Sequence, residues 1–441
     1  MTKDSLAVAI EALSWMAYTG MGERQALLRA SQQMNVTEEG ALREAHKWIM
    51  ETSRFQNRLD WFISQCLPAE AIEKTPHGVR SLFRVITYAK LIESRSPADL
   101  QRLVGWARQA MGWHEIRPYE EDIAKLVFGK RNAILTALTE LDRLSLRTCH
   151  PSWYTKSVTV AFGRPIGIRM LQRDLRPVST FARINELKAT GEYDLIAEQL
   201  HASKVDKLDG VFVLEKAGKS GERANLASSG KIVIQDLGSI VAGLVAAPKP
   251  GQAVLDLCAS PGNKTSHFAA QMHNEGEIYS IEYSPTRTAQ WRRSVASAGC
   301  SIAHLIRADA RTIPLRGDFD VVLVDPPCSN TGVFARNPPA KWEISHGQLH
   351  ELSSRQEKIL QTASNHVSKG GTLVYCTCSM LAQENEFIVE TFLGRNPDFK
   401  LVRQEPFIGS PGLRGLNECQ RFYPHLHDCN GYFIAMMHRD A

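Results

Sequence analysis

Two segments of this 441-residue chain place a cysteine just beyond a run of apolar residues. Val321-Val322-Leu323-Val324 leads into Asp325-Pro326-Pro327-Cys328-Ser329-Asn330-Thr331-Gly332, and the candidate strand Thr372–Cys376 leads into Thr377-Cys378-Ser379. An ionised thiol is a strong nucleophile, provided that solvent reaches it and a positive neighbour lowers its pKa. Lys264 is a candidate for that polarity, although it equally suits covering the helix it begins. Cysteine is also a common small core residue, which is the better reading of Cys66, Cys149 and Cys300. For Cys328 and Cys378 the packing reading must put both thiols at one edge by chance.

Acids fall at that same edge. Ala253-Val254-Leu255-Asp256-Leu257 is a buried-strand pattern running into Cys258-Ala259-Ser260-Pro261-Gly262-Asn263-Lys264 and then a helix. Small residues in such a turn let a ligand approach the backbone at the carboxyl end of a sheet. The next candidate strands, 278–281, 303–307 and 320–324, end at Glu282, Asp309 and Asp325. A carboxylate at the end of the second strand can accept from both ribose hydroxyls of a nucleoside. Asp309 suits the adenine amino group, and Asp325 stands at the topological switch. Any one of these acids alone reads as a helix N-cap. The set of four points to a nucleoside. NAD is disfavoured, because the loop lacks G-x-G-x-x-G and offers no pyrophosphate cradle. S-adenosylmethionine has no phosphates and presents ribose, base and ammonium to acids, so it is the expected cofactor. Amino-group methyltransferases put an aromatic residue after Asp-Pro-Pro to stack the target base; Cys328 in that place argues against methylation of an exocyclic amine.

The elements that must position these groups fall in the second half of the chain. After Pro248-Lys249-Pro250-Gly251, strands and helices alternate as in a doubly wound α/β sheet, with a last strand at Tyr432–Met437. Residues 1–148 read as an all-helical domain: Ala7, Ile10, Leu13 and Met16 recur at helical spacing, as do Leu82, Val85, Tyr88 and Leu91. Glu121–Arg147 reads as a further helical run, and His150-Pro151 as its end. Residues 149–240 read as a small α+β module, with apolar runs at Ala182–Leu187 and Gly210–Leu214, a helix near Tyr193–Leu200 and a Gly, Ser and Lys-rich passage at Lys216–Lys231. Residues 241–441 form the catalytic domain. Such a length suits two to four domains.

Fifty-two Lys and Arg against forty-seven Asp and Glu give a formal charge of +5, which suits a polyanion without requiring one. Nine cysteines, an odd number, fit reduced thiols better than a disulfide framework, and no pairing of them has zinc-site spacing, so no metal is expected. The apolar stretch Ile240–Ala247 is too short to span a bilayer, and Asp4 and Glu11 interrupt any secretory core. A cytoplasmic protein without membrane association is expected.

Residues 150–439 resemble the Nop/Sun-type RNA cytosine-5 methyltransferases, the family of the bacterial Fmu/Sun proteins. The matching segments are Arg183-Ile184-Asn185, Gln235-Asp236 with Ser239, the 258–264 loop, Asp325-Pro326-Pro327-Cys328-Ser329 with Thr331-Gly332, Lys341-Trp342, Thr377-Cys378-Ser379, Arg421-Phe422-Tyr423-Pro424-His425 and Gly431-Tyr432-Phe433. The helical segment is similar to the NusB-like domain of the bacterial 16S ribosomal RNA member. The chain departs from the pattern at Asn263, where a Gly is usual, and at Pro326 and Asn330. The resemblance implies a multidomain chain with a NusB-like domain, an RRM-like RNA-binding module and a Rossmann-like methyltransferase domain. It implies Cys378 as nucleophile on carbon 6 of cytosine, Cys328 in product release and Asp325 at the base edge. It further implies RNA contacts at Arg183, and Arg287 is a candidate beside it. The helix bearing Arg287, Arg292, Arg293 and Trp291 reads equally as a phosphate track or as an exposed face over a buried Trp. The expected partner is RNA, ribosomal before transfer RNA, bound by a monomer. A scaffold that binds RNA without catalysis is the alternative, disfavoured by Glu282, Asp325, Cys328 and Cys378. DNA methylation is disfavoured because its nucleophile sits in the Pro-Cys segment.

Overall fold

The computed structural model describes residues 2–129, 138–214 and 220–441. They form two compact units, one running to Leu175 and including Asn337–Glu343, the other made of Arg176–Arg336 and Ile344–Ala441.

The first unit is helical. Its first helix, Lys3–Thr19, starts with a Thr2–Ser5 capping box and stops at Gly20, whose left-handed φ of 69° a side chain would resist. Of the residues read at helical spacing, Ile10 and Leu13 meet Trp48, Phe62, Leu82 and Phe83 in one core together with Leu6, and Met16 packs against it partly buried. The 121–147 run comprises Glu120–Phe128 and Glu140–Thr148, while residues 130–137 lie outside the described residues. His150-Pro151 does not end the helical segment. Pro151 instead precedes the helix Ser152–Ala161, and Arg164–Arg173 follows, so 149–175 belong to the helical unit rather than to the middle module. Proline is tolerated at a helix start because the first turn has no use for its missing N–H. Lys341 and Trp342 also serve this unit: the fully buried Lys341 donates Nζ to the Cys149 carbonyl at 3.1 Å, and Trp342 Nε1 to the Ser53 carbonyl at 2.7 Å.

The second unit opens with four strands, β1 (Thr180–Ile184), β2 (Ala202–Lys204), β3 (Val211–Leu214) and β4 (Ile232–Ile234), in an antiparallel sheet ordered β2-β3-β1-β4. Helices Tyr193–Leu200 and Ser220–Ser228 give a β-α-β-β-α-β order; residues 215–219 of the Gly, Ser and Lys-rich passage lie outside the described residues. Alternation along β1 divides its side chains. Ala182 and Ile184 face the module's own core, whereas Phe181 packs with Leu237, Ile240 and Val241 of the helix Leu237–Ala246. That helix runs across the expected boundary at 240.

A second sheet follows, with β5 (Ala253–Leu257), β6 (Glu277–Ile281), β7 (Ala303–Ile306), β8 (Phe319–Val324), β9 (Val367–Thr377), β10 (Phe399–Leu401), β11 (Ser410–Pro411), β12 (Gln420–Phe422) and β13 (Tyr432–Arg439). Its order is β11-β12-β13-β9-β8-β5-β6-β7, with β10 beside β13. β5 to β8 and β9 run parallel, and β13 returns antiparallel to β9. Near-continuous apolar runs such as Val321–Val324 fit strands buried on both faces. The chain order reverses between β5 and β8, which opens a crevice at their carboxyl ends. No helix of the described residues is long and apolar enough to cross a membrane.

Candidate active site

The loop after β5 starts the crevice. Cys258 has a left-handed φ of 62°, and the Ala259 N–H bonds the Ile281 carbonyl, tying the loop to β6. Gly262 caps the helix Asn263–Gln271 with φ 100°, and a Cβ there would lie 2.9 Å from Val295. Only glycine meets both demands. Asn263 takes the first helical position without a positive φ, so the replacement of the family's usual Gly leaves the turn intact. The caps of the first two following helices are Gly262 and Ser284, so neither Asp256 nor Glu282 is an N-cap.

A cavity of about 360 Å³ lies beside this loop, lined by Cys258, Glu282, Tyr283, Arg287, Asp309 and Arg355 among others. Glu282 is 4% exposed; its Oε1 accepts the Ser284 N–H at 2.9 Å, while Oε2 is buried without a hydrogen-bond partner. That oxygen has only a 3.6 Å ion pair with Arg287, which leaves it free to accept from a ligand, and ribose hydroxyls supply such donors. Asp309 at the far wall is held ionised by the hydrogen bond from Arg311 at 2.6 Å. Asp256 is buried at the floor. Burial raises its carboxyl to about 7 despite a 2.6 Å hydrogen bond from Thr265. Burial likewise raises the Cys258 thiol and leaves it inert. The donor demand and the acids fit S-adenosylmethionine. Glu282→Ala is expected to weaken its binding by roughly 10–100-fold, because a hydrogen bond to a charged acceptor is lost. Calorimetric titration checks this, and unchanged affinity would remove Glu282 from the site.

Asp325 follows β8 and takes an ion pair from Lys264 Nζ at 2.5 Å. Burial by itself would lower the Lys264 pKa, but Asp325 raises it, so the ammonium is retained. Lys264 therefore serves Asp325 and lies 5.8 Å from the Tyr432 ring centre. Beyond them the two cysteine loops meet. Cys328 Sγ and Cys378 Sγ are 2.8 Å apart, and Cys378 Sγ donates to Asn330 Oδ1 at 3.1 Å. The hydrogen bond with Cys378, followed by burial, pushes the Cys328 thiol well up, so Cys328 holds its proton. The approach depends on glycines: a Cβ on Gly332 would lie 2.2 Å from the Gly431 carbonyl oxygen and 2.7 Å from that of Cys378.

Arg183 departs from the place that the resemblance implies. It does not face RNA: it is 2% exposed and lies on the β1 face that packs toward the catalytic domain. Its guanidinium donates to the Asn263 carbonyl at 3.0 Å, Ser266 Oγ at 2.9 Å and Gln235 Oε1 at 3.0 Å, so it anchors the start of the cofactor-loop helix. Arg183→Met is expected to lower cofactor affinity and melting temperature without changing the salt dependence of RNA binding. A phosphate contact would instead reduce the salt slope by about 1. Arg287 donates to the Ser260 carbonyl at 2.8 Å and lies 3.6 Å from Glu282, which turns it to the cavity. On the same helix Trp291 is buried, donating to Thr265, with Arg292 and Arg293 exposed. Sequence reasoning missed the contact of Asn330, named there only as a departure from the family pattern, and Glu384, whose oxygens reach both cysteine loops. No cluster of three His, Cys, Asp or Glu among the described residues would hold a metal.

The family 16S rRNA methyltransferase RsmB/F matches residues 243–438, which carry this crevice. The probable ribosomal RNA small subunit methyltransferase B of Bacillus subtilis is 30% identical over 307 residues, 67% of this chain and 68% of its own length. The tRNA (cytosine(72)-C(5))-methyltransferase of Pyrococcus horikoshii is 37% identical over 207 residues, 46% of this chain and 51% of its own. The crystal structure of PH0851 superposes with a TM-score of 0.84 at 26% identity, covering 99% of both chains. With its motifs, its crevice and these relatives in agreement, the chain belongs to the RsmB/F family, the Nop/Sun-type S-adenosylmethionine-dependent RNA cytosine-5 methyltransferases.

Proposed function

We propose that the chain methylates carbon 5 of a cytosine in ribosomal RNA, in the cytoplasm, through a covalent adduct on Cys378. The observation that supports this most is the thiol pair, 2.8 Å apart and next to the Asp325–Lys264 pair. Carbon 5 of cytosine is too weak a nucleophile to attack a sulfonium methyl unaided. Addition of the Cys378 thiolate to carbon 6 makes an enamine whose carbon 5 can attack. The bound cofactor supplies the electrophilic methyl group. Asp325 receives the N3 edge of the ring and offsets positive charge there. After a base removes the carbon 5 proton, the carbon–sulfur bond breaks and Cys378 leaves as thiolate. The protonated Cys328 stabilises that thiolate by donating its S–H. The target base must be unstacked to reach the thiol, which favours loops or opened helices.

Ribosomal RNA is preferred because the likeness to the small-subunit methyltransferase B runs over 67% of the chain, against 46% for the tRNA enzyme. The 37% identity to the latter keeps transfer RNA as the second substrate. We read the β-α-β-β-α-β module as RRM-like from its strand order, with the β1 residues Phe181 and Arg183 turned to the catalytic domain rather than to bases. Transfer of labelled methyl to small-subunit ribosomal RNA and to transfer RNA transcripts, with bisulfite mapping, tests the assignment. Label at one ribosomal cytosine is expected; label confined to transfer RNA would reverse the substrate order.

A further inference from the structure

Glu384 ends the short turn Ala382–Glu384 after the Cys378 loop and is fully buried. Its Oε1 accepts the Ser329 N–H at 2.8 Å and Gln356 Nε2 at 2.9 Å. Its Oε2 accepts the Ser379 hydroxyl at 2.5 Å and also the Ser329 hydroxyl. Ser329 follows Cys328, and Ser379 follows Cys378. Gln356 Nε2 also reaches the Pro327 carbonyl at 2.9 Å, on the other side of Cys328. The next residue, Asn385, bonds the Ser379 carbonyl at 2.8 Å and the Thr377 hydroxyl at 2.5 Å, bracketing Cys378. These donors to Glu384 are all neutral. A carboxylate in such a place is costly to bury, and apolar packing would hold the turn at less cost.

We propose that Glu384 is a positioning residue whose carboxylate fixes the Cys328 and Cys378 loops against each other and sets the two sulfurs in their different roles. This rests on the reading of Cys378 as nucleophile. The carboxylate bonds the residue after each cysteine, so neither loop moves without breaking a hydrogen bond to a charged acceptor. The charge acts in the same direction: after the contact with Cys378 and burial, Glu384 further raises the Cys328 thiol. Cys328 is thereby kept as the donor, and Cys378 is left to react.

The test compares full-length wild type, Glu384→Gln and Glu384→Ala. Glu384→Gln keeps the size, removes the charge and exchanges one acceptor oxygen for a donor amide, which the Ser329 and Ser379 hydroxyls can meet by turning. Thermal unfolding and S-adenosylmethionine binding report the fold. Steady-state methylation gives kcat and KM, and iodoacetamide labelling followed by peptide mass spectrometry gives the division of alkylation between Cys328 and Cys378. For Glu384→Gln we expect unchanged cofactor affinity and RNA KM, a kcat lower by roughly 100-fold, and label spreading from Cys378 to Cys328. Glu384→Ala should repeat this more strongly. An unchanged alkylation ratio in Glu384→Gln, or a kcat lost only in step with cofactor affinity and melting temperature, would overturn the proposal. The labelling needs no RNA, so it judges Glu384 even if wild type transfers no methyl and the functional reading itself fails.

Discussion

Cys378→Ala is expected to lose methyl transfer by roughly a thousandfold or more while binding S-adenosylmethionine as wild type does. The loss follows from the chemistry of the pyrimidine. Without a nucleophile on carbon 6, carbon 5 carries no enamine character, and bringing the methyl group near does not substitute for it. Cofactor binding is spared because the cavity is lined from the ends of β5, β6 and β7 and by Pro327, Arg355 and Ile359, whereas Cys378 follows β9 and does not line it. Turnover measured with labelled cofactor, beside a calorimetric titration, separates the two. A mutant that still turns over at near the wild-type rate would remove Cys378 from the chemistry, and a parallel loss of cofactor binding would make its role structural.

Cys328→Ala is expected to have an opposite signature, with the covalent step completed and release stalled. The Cys328 sulfur lies 2.8 Å from Cys378, and its contact with that thiol and its burial keep it protonated. A leaving thiolate that accepts this S–H departs more easily than one facing an alanine methyl. The mutant should therefore accumulate a protein–RNA adduct that survives SDS and appears as a shifted band, in near-stoichiometric amounts with a genuine substrate. Adding Cys378→Ala in the same chain should abolish the band. No band from Cys328→Ala with an RNA that wild type methylates would exclude Cys328 from release.

The parts of this molecule written locally in the chain were the legible ones. Strands such as 253–257 and 432–437 are apolar runs that start just after Gly or Pro, and the structure has the first as read and carries the last on to Arg439. Glu282 and Asp325 were readable because their places follow from strand ends alone. Features that depend on distant segments meeting were not. Arg183 looks like a solvent-facing cation until alternation along β1 and the arrival of Asn263 and Ser266 bury it. Asn330 reads as an ordinary loop residue, and only the folded loops bring its Oδ1 to Cys378. Glu384 lies in a stretch with no periodicity to mark it. Pro151 was misread because the same residue that closes one helix can open another.

The most direct measurement of the central claim is peptide mass spectrometry of the adduct isolated from Cys328→Ala, after nuclease and protease digestion. A cytidine-derived mass, carrying one added methyl group, is expected on the peptide containing Cys378. The same mass on any other residue, or a denaturation-resistant adduct without cytidine, would contradict the claim.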